Sequence, residues 1–170
     1  MNNQTLVIPM SSSGHCPRAL SAELLSYKSK ERPEWLLSSA EEGKLHENAI
    51  KANLENEGIL IETDKLCPTC GRYGIHVQYQ LPNNILLVGH LDGKIIDSRR
   101  ILEIKSMSQY EFNRWQRGRF SEFPQYADQL TCYMMASEIE QALYIVKNRN
   151  LGTIDEFLRP SNCLQKLNSL

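Results

Sequence analysis

An α/β (α+β) fold, with a central mixed β-sheet flanked by helices, is what this 170-residue chain predicts, and three observations carry the prediction. Apolar residues recur at helical spacing in two stretches before residue 58 and two after residue 107. Runs of strand length, alternating or continuously apolar, crowd into 59–105, and one more follows at 141–147. A composition of 41% hydrophobic and 23% charged residues fills one ordinary globular core but not two, so 1–170 reads as a single domain.

In chain order, 4–10 is a short extended lead and 11–15 a polar, glycine-containing loop. Cys16-Pro17-Arg18 opens a helix, with proline in the first turn where its missing N–H is harmless, and Leu20, Leu24 and Leu25 form its inner stripe. A polar connection at 28–37 holds Pro33 and is anchored by Trp35. A second helix runs from 38 or 39 to about 57: Ser39 and Glu42 have capping-box spacing, and Gly58 stands at the stop. Leu45, Ala49, Ala52 and Leu54 give it a partial apolar face, with His46 beside it.

Strands follow at 59–66 and 74–81, the second alternating Ile75, Val77 and Tyr79 with polar neighbours. Pro82-Asn83-Asn84 signals a turn, so 74–91 is a hairpin. Strands at 85–88 and 100–105 lead to a helix at 108–117, with Phe112 and Trp115 in the core and Gly118 at its end. A helix at 124–137 carries Tyr126, Leu130, Tyr133 and Met134 at helical spacing. The chain closes with a strand at 142–146 and a polar tail containing a short amphipathic turn near Phe157.

The chemistry concentrates at Gly89-His90-Leu91-Asp92-Gly93 and Glu103-Ile104-Lys105. Two residues apart on a strand, Glu103 and Lys105 share one face while Leu102 and Ile104 face a core. Carboxylates that converge repel each other, and a divalent cation between them relieves the repulsion. Oxygen ligands favour magnesium or manganese over zinc. A lysine alongside can neutralise charge on a phosphate oxygen or hold an attacking water. The bland alternative is a hairpin with a surface ion pair.

A net charge of −1 excludes nucleic-acid binding by overall basicity. A local patch is available: 94–119 holds seven basic residues (Lys94, Arg99, Arg100, Lys105, Arg114, Arg117, Arg119) against three acidic ones, whereas 41–64 holds seven acidic against two basic. Tyr110, Phe112 and Trp115 interleave with Arg114 and Arg117, a mixture able to stack on bases and grip phosphates. No basic start precedes a long apolar run and no stretch has membrane-spanning length, so a cytoplasmic protein without membrane contact is expected.

Five cysteines, an odd number without an export signal, argue against a disulfide scaffold. Cys67-Pro68-Thr69-Cys70-Gly71 has the spacing of one zinc-ribbon knuckle, in which two thiolates grip a structural Zn2+. A closed site needs two further ligands, from Cys16, Cys163, His15 or His76 or from another subunit. A surface loop with two reduced thiols stands beside that reading.

Four blocks in order, Gly43 with His46, Gly-His-Leu-Asp-Gly at 89–93, Glu-Ile-Lys at 103–105, and Gln129 with Tyr133, resemble the PD-(D/E)xK nuclease superfamily. The branch is that of the RecB nuclease domain, lambda exonuclease and the CRISPR-adaptation exonucleases, and several phage proteins are of similar length. Over about 11–147 the resemblance implies a restriction-endonuclease-like core and a metal, Mg2+ or Mn2+, held by His46, Asp92, Glu103 and the backbone carbonyl of Ile104. It makes Lys105 the catalytic lysine, has Gln129 position that lysine or the attacking water, and puts Tyr133, Ser13 and Arg18 on the DNA backbone. Some relatives hold an iron–sulfur cluster; Cys16 and Cys163 stand roughly in place, but the remaining cysteines are absent and no cluster is expected. The activity implied is a metal-dependent DNA exonuclease in recombination, repair or phage DNA processing, working in the host cytoplasm if phage-encoded. A homo-oligomer or a recombination-protein partner fits such a role. The alternatives are an endonuclease or nickase on the same fold, or a non-catalytic DNA-binding adaptor.

Overall fold

The computed structural model describes residues 5–24, 34–63, 66–68, 70–71 and 73–160. The connection at 28–33 with Pro33, the side chains of Leu24, Leu25 and Trp35, and Cys163 lie outside the described residues. The helices are α1 (Pro17–Leu24), α2 (Glu34–Asn56), α3 (Gln109–Gly118) and α4 (Pro124–Ser137). The strands are β1 (Leu6–Pro9), β2 (Ile61–Glu62), β3 (Ile75–Leu81), β4 (Ile85–Leu91), β5 (Gly93–Ile95), β6 (Arg100–Met107), β7 (Gln141–Asn148) and β8 (Ile154–Pro160). No helix among the described residues is long and apolar enough to cross a membrane.

The expected α+β fold with mixed sheet and flanking helices is present, but the sheet divides in two. One sheet has the order β1-β4-β3, with β1 parallel and β3 antiparallel to β4. The other has the order β2-β5-β6-β7-β8, in which only β6 and β7 run parallel. The division falls at Asp92, where the chain leaves β4 and enters β5.

Side-chain alternation along β6 organises both cores. Ile101 and Met107 face one way, into a cluster with Phe112 and Trp115 of α3, Leu130, Tyr133 and Met134 of α4, and Tyr144 of β7. Leu102 and Ile104 face the other way, against Ile50 and Leu54 of α2 and Ile145. Burial of each such aliphatic side chain contributes about 1.5–3 kcal/mol. Helix α2 is thereby fixed across the back of β6.

Local chemistry explains the boundaries. Ser108 and Glu111 form a capping box that starts α3, and Pro124 occupies the first turn of α4. Asn83 and Asn84 close the β3–β4 hairpin with φ of 61° and 58°, values asparagine tolerates better than most residues.

Three expectations need correction. Helix α2 begins at Glu34, so Ser39 and Glu42 lie inside it and do not cap it; Arg149 Nη1 donates to Ser39 Oγ and also sits 3.5 Å from Glu42. Of the strand expected over 59–66, the described residues form a strand only at Ile61–Glu62, paired with the three-residue β5. The polar tail at 154–160 is instead β8, antiparallel to β7. Its inward positions are Asp155, Phe157 and Arg159. Asp155 accepts a 2.7 Å hydrogen bond from Trp115 Nε1, and the Arg159 guanidinium lies 4.5 Å from the Phe120 ring centre. Charged inner residues hid the strand period.

Candidate active site

Asp92 sits at the hinge between the sheets, between two closely packed glycines. A Cβ on Gly89 would stand 2.5 Å from Tyr133 Cε1, and one on Gly93 would stand 3.0 Å from Ile61 Cγ2, so both glycines accommodate packing. Gly93 makes room for β2. Asp92 Oδ2 accepts a 2.8 Å hydrogen bond from the backbone N–H of Ile104, which fastens the acid to β6 beside Glu103. Ile104 therefore meets Asp92 through its N–H.

Glu103 and Lys105 emerge on one face of β6, as their spacing predicts. Lys105 Nζ donates to Glu103 Oε1 at 2.5 Å and lies 5.7 Å from the Tyr126 ring centre. Glu103 is only 2% exposed, and its second oxygen, Oε2, is buried with no hydrogen-bond partner. An orphaned carboxylate oxygen is costly to bury, and a cation or a donor from a substrate would satisfy it.

The electrostatics follow from this crowding. Burial, then the charge of Glu103, pushes the Asp92 carboxyl up to about 8, against the opposing pull of Lys105 and the Ile104 N–H. Burial also raises Glu103, although Lys105 lowers it. For Lys105 burial opposes the charge, but Glu103, Tyr144 and Asp92 outweigh it and hold the ammonium well above the usual lysine range. The Tyr133 hydroxyl is raised by burial and by Glu103.

Two further site residues escaped the sequence reading. Glu47 of α2 raises both Asp92 and Glu103, and Lys51, one turn on, lowers Glu103. Lys51 Nζ donates to Glu47 Oε1 at 2.5 Å and is only 5% exposed. A Glu and Lys four apart on a helix ordinarily mark a solvated face, which is why the pair passed unnoticed. Its position beside His46 was the available signal.

His46 precedes Glu47 on α2. Its Nε2 is buried without a hydrogen-bond partner, 3.6 Å from Glu42 Oε1. Among the described residues, the only group of three or more His, Cys, Asp and Glu whose ligand atoms all lie within 4.8 Å is Cys67, Cys70, His76 and His90. Neither His46 nor Glu47 is gathered with Asp92 and Glu103 to that spacing; Glu103 and Glu47 each turn to a lysine. Like charges keep apart when lysines are the only cations at hand.

The expected DNA-contacting residues divide. Gln129 and Tyr133 are buried on one face of α4, but the Gln129 amide donates to the Tyr133 hydroxyl at 2.8 Å, and no bond to Lys105 accompanies it. Tyr133 is a core residue, 4% exposed, whose edge lines an open cleft with Ser11, His76, Gly89 and His90. Ser13 Oγ donates to the Met10 carbonyl at 2.6 Å, so it closes a turn. Arg18 and Arg117 are exposed. Arg114 bonds Glu122 through Nε at 3.0 Å and lies 4.9 Å from the Phe123 ring centre. With Lys105 on Glu103 and Arg119 3.7 Å from Asp155, three cations of the basic stretch are already matched by acids.

The donor set at Asp92, Glu103 and Glu47 is oxygen-only and suits a hard divalent ion, for which the orphaned Glu103 oxygen is a ready ligand. The Cys/His group is of a different kind, with sulfur and imidazole donors.

Solved structures share this fold. The chain is similar to a phage-related exonuclease from Haemophilus somnus 129PT, at a TM-score of 0.61 and 12% identity, covering 98% of this chain and 91% of that one. It is similar to an alkaline exonuclease from Laribacter hongkongensis, at a TM-score of 0.54 and 13% identity over 95% of this chain and 82% of that one, a protein also solved in complex with dAMP. The crystal structure of SSO0001 matches at a TM-score of 0.61 and 17% identity, covering 98% of this chain and 75% of that one. No family model matches the chain, and no curated protein matches it. At these identities the likeness establishes the fold.

Proposed function

We propose that this chain is a metal-dependent deoxyribonuclease that hydrolyses phosphodiester bonds at DNA ends, in recombination, repair or phage DNA processing. The observation that carries the reading is the part-buried Asp92 beside the buried Glu103, with Lys105 fixed on Glu103, set in a fold shared with exonucleases. Asp92, Glu103 and Glu47 would hold Mg2+ or Mn2+, with His46 and the Ile104 carbonyl as further candidates. Such an ion polarises a phosphate oxygen and lowers the pKa of bound water.

The protein's own groups do the rest. Lys105, held charged by its acidic neighbours, donates hydrogen bonds and offsets negative charge growing on the phosphate. A lysine this firmly protonated is an electrostatic group and a poor base. The Lys51 ammonium on Glu47 balances the acids from the α2 side. The cleft along Tyr133, with exposed Arg117 and Arg18 elsewhere on the surface, offers routes for a DNA backbone.

The test is digestion of linear and covalently closed DNA with Mg2+ by the native chain and by Lys105→Ala. The expected result is loss of linear DNA from its ends, an intact closed circle, and a fall of at least about 10²-fold in the variant. Cutting of the circle would assign an endonuclease or nickase. Inactivity of the native chain on every DNA form would leave an adaptor.

A further inference from the structure

We propose that Cys67, Cys70, His76 and His90 bind one zinc ion in a closed Cys2His2 site that ties the loop before β3 to the β3–β4 hairpin. The four ligand atoms all lie within 4.8 Å of one another. His90 Nε2 stands 3.2 Å from Cys70 Sγ and 3.4 Å from His76 Nδ1. A tetrahedral zinc with Zn–N of about 2.0–2.1 Å and Zn–S of about 2.3 Å requires N–N edges of about 3.3 Å, N–S edges of about 3.5 Å and an S–S edge of about 3.8 Å. The observed separations fit that frame. Hydrogen bonding explains them less well, because one ring nitrogen of His90 faces two partners and carries at most one proton.

The local fold builds this geometry. His76 and His90 are cross-strand partners in the antiparallel β3–β4 ladder, so their rings meet on one side, with centroids 5.2 Å apart. The Leu66–Tyr73 bridge closes the loop that carries the two cysteines, and Gly71 N–H donates to the Cys67 carbonyl at 2.8 Å, turning the chain between the thiols. Gly74, at φ 122°, lets the loop press on the hairpin: a Cβ there would stand 2.9 Å from His90 Cβ. Cys67 is buried and Cys70 exposed, and neither is in a disulfide. Mixed sulfur and imidazole donors in a set of four select zinc, and four protein ligands leave no open position, so the ion is structural. Binding releases one proton from each cysteine thiol to solvent as the thiolate–zinc bonds form. The ligand set would hold zinc whether or not the acidic centre hydrolyses DNA.

The experiment is metal analysis of tag-free full-length protein purified under reducing conditions, followed by cobalt(II) substitution. The expected result is one zinc per chain, and a cobalt form with the visible bands of tetrahedral geometry and near-ultraviolet thiolate charge transfer. Cys70→Ser and His90→Ala should each lose stoichiometric zinc, while Glu103→Gln keeps it. Where a variant does not fold, the cobalt spectrum of the native chain decides. Native protein without zinc and without a thiolate–cobalt spectrum, iron in place of zinc, or full zinc retention by both folded variants would overturn the assignment.

Discussion

Two clusters of candidate metal ligands come within two residues of each other along the chain, at His90 near the end of β4 and at Asp92 just after it, and they behave oppositely. At Asp92 and Glu103 the donors are acids, which repel, so Glu103 turns to Lys105 and Glu47 to Lys51. At Cys67, Cys70, His76 and His90 the donors carry little charge before binding, so nothing separates them and their ligand atoms converge. Preformed geometry is therefore visible only where convergence costs little electrostatically. At the acidic centre the signs are an orphaned buried oxygen and a carboxyl pushed up to about 8.

The contrast can be broken most forcefully by chelation. Brief EDTA treatment should abolish DNA hydrolysis, by at least about 10²-fold, with recovery on adding Mg2+, because hard ions in part-hydrated oxygen sites exchange readily. Zinc at the Cys/His group should survive that treatment and be released by a thiol-specific mercurial. Activity measurements and metal analysis on the same samples check both halves.

A smaller effect separates the two neighbours on α2. Because Glu47 is the group that reaches both acids, Glu47→Gln should lower kcat/KM by about 10–100-fold, and His46→Ala by less. The reverse ranking would restore the imidazole as the principal helix ligand.

Stability should also carry a pH signature of the acidic centre. Without divalent ions, the folded chain retains a proton on Asp92 up to about pH 8, whereas in the unfolded chain that group ionises near 3.8. Folded protein then binds more protons than unfolded protein between those values, so this group's contribution to stability falls as pH rises from about 4 to about 8. Asp92→Asn should flatten the fall, as read by denaturant unfolding across that range.

The smallest effect is expected at Arg114, whose partner is Glu122 in a pair about one third exposed. Arg114→Ala should cost less than about 1 kcal/mol in unfolding and leave the salt dependence of DNA binding unchanged. A shallower salt slope would return this arginine to the DNA interface.

Much of this was legible in the sequence where spacing alone decides geometry. The two-residue period put Glu103 and Lys105 on one face, and the Cys-x-x-Cys spacing marked its loop. His90 was legible in principle, since His76 and His90 are equidistant from Asn83 at the hairpin turn, but the Asp92 motif claimed attention there. Strand β8 was hidden because Asp155 and Arg159 face inward and find partners in Trp115 and Phe120. The partners of the basic stretch were hidden for a related reason: Glu122 and Asp155, which engage Arg114 and Arg119, lie outside it in sequence.

The most direct test of the central claim is the single-turnover rate of end-labelled linear duplex digestion with Mg2+, for native chain and Glu103→Gln side by side. Removing the charge of the buried Glu103 without changing its size should lower the rate by at least about 10³-fold, with zinc content unaltered. Equal rates for the two proteins would contradict the assignment of Asp92, Glu103 and Lys105 as a hydrolytic centre.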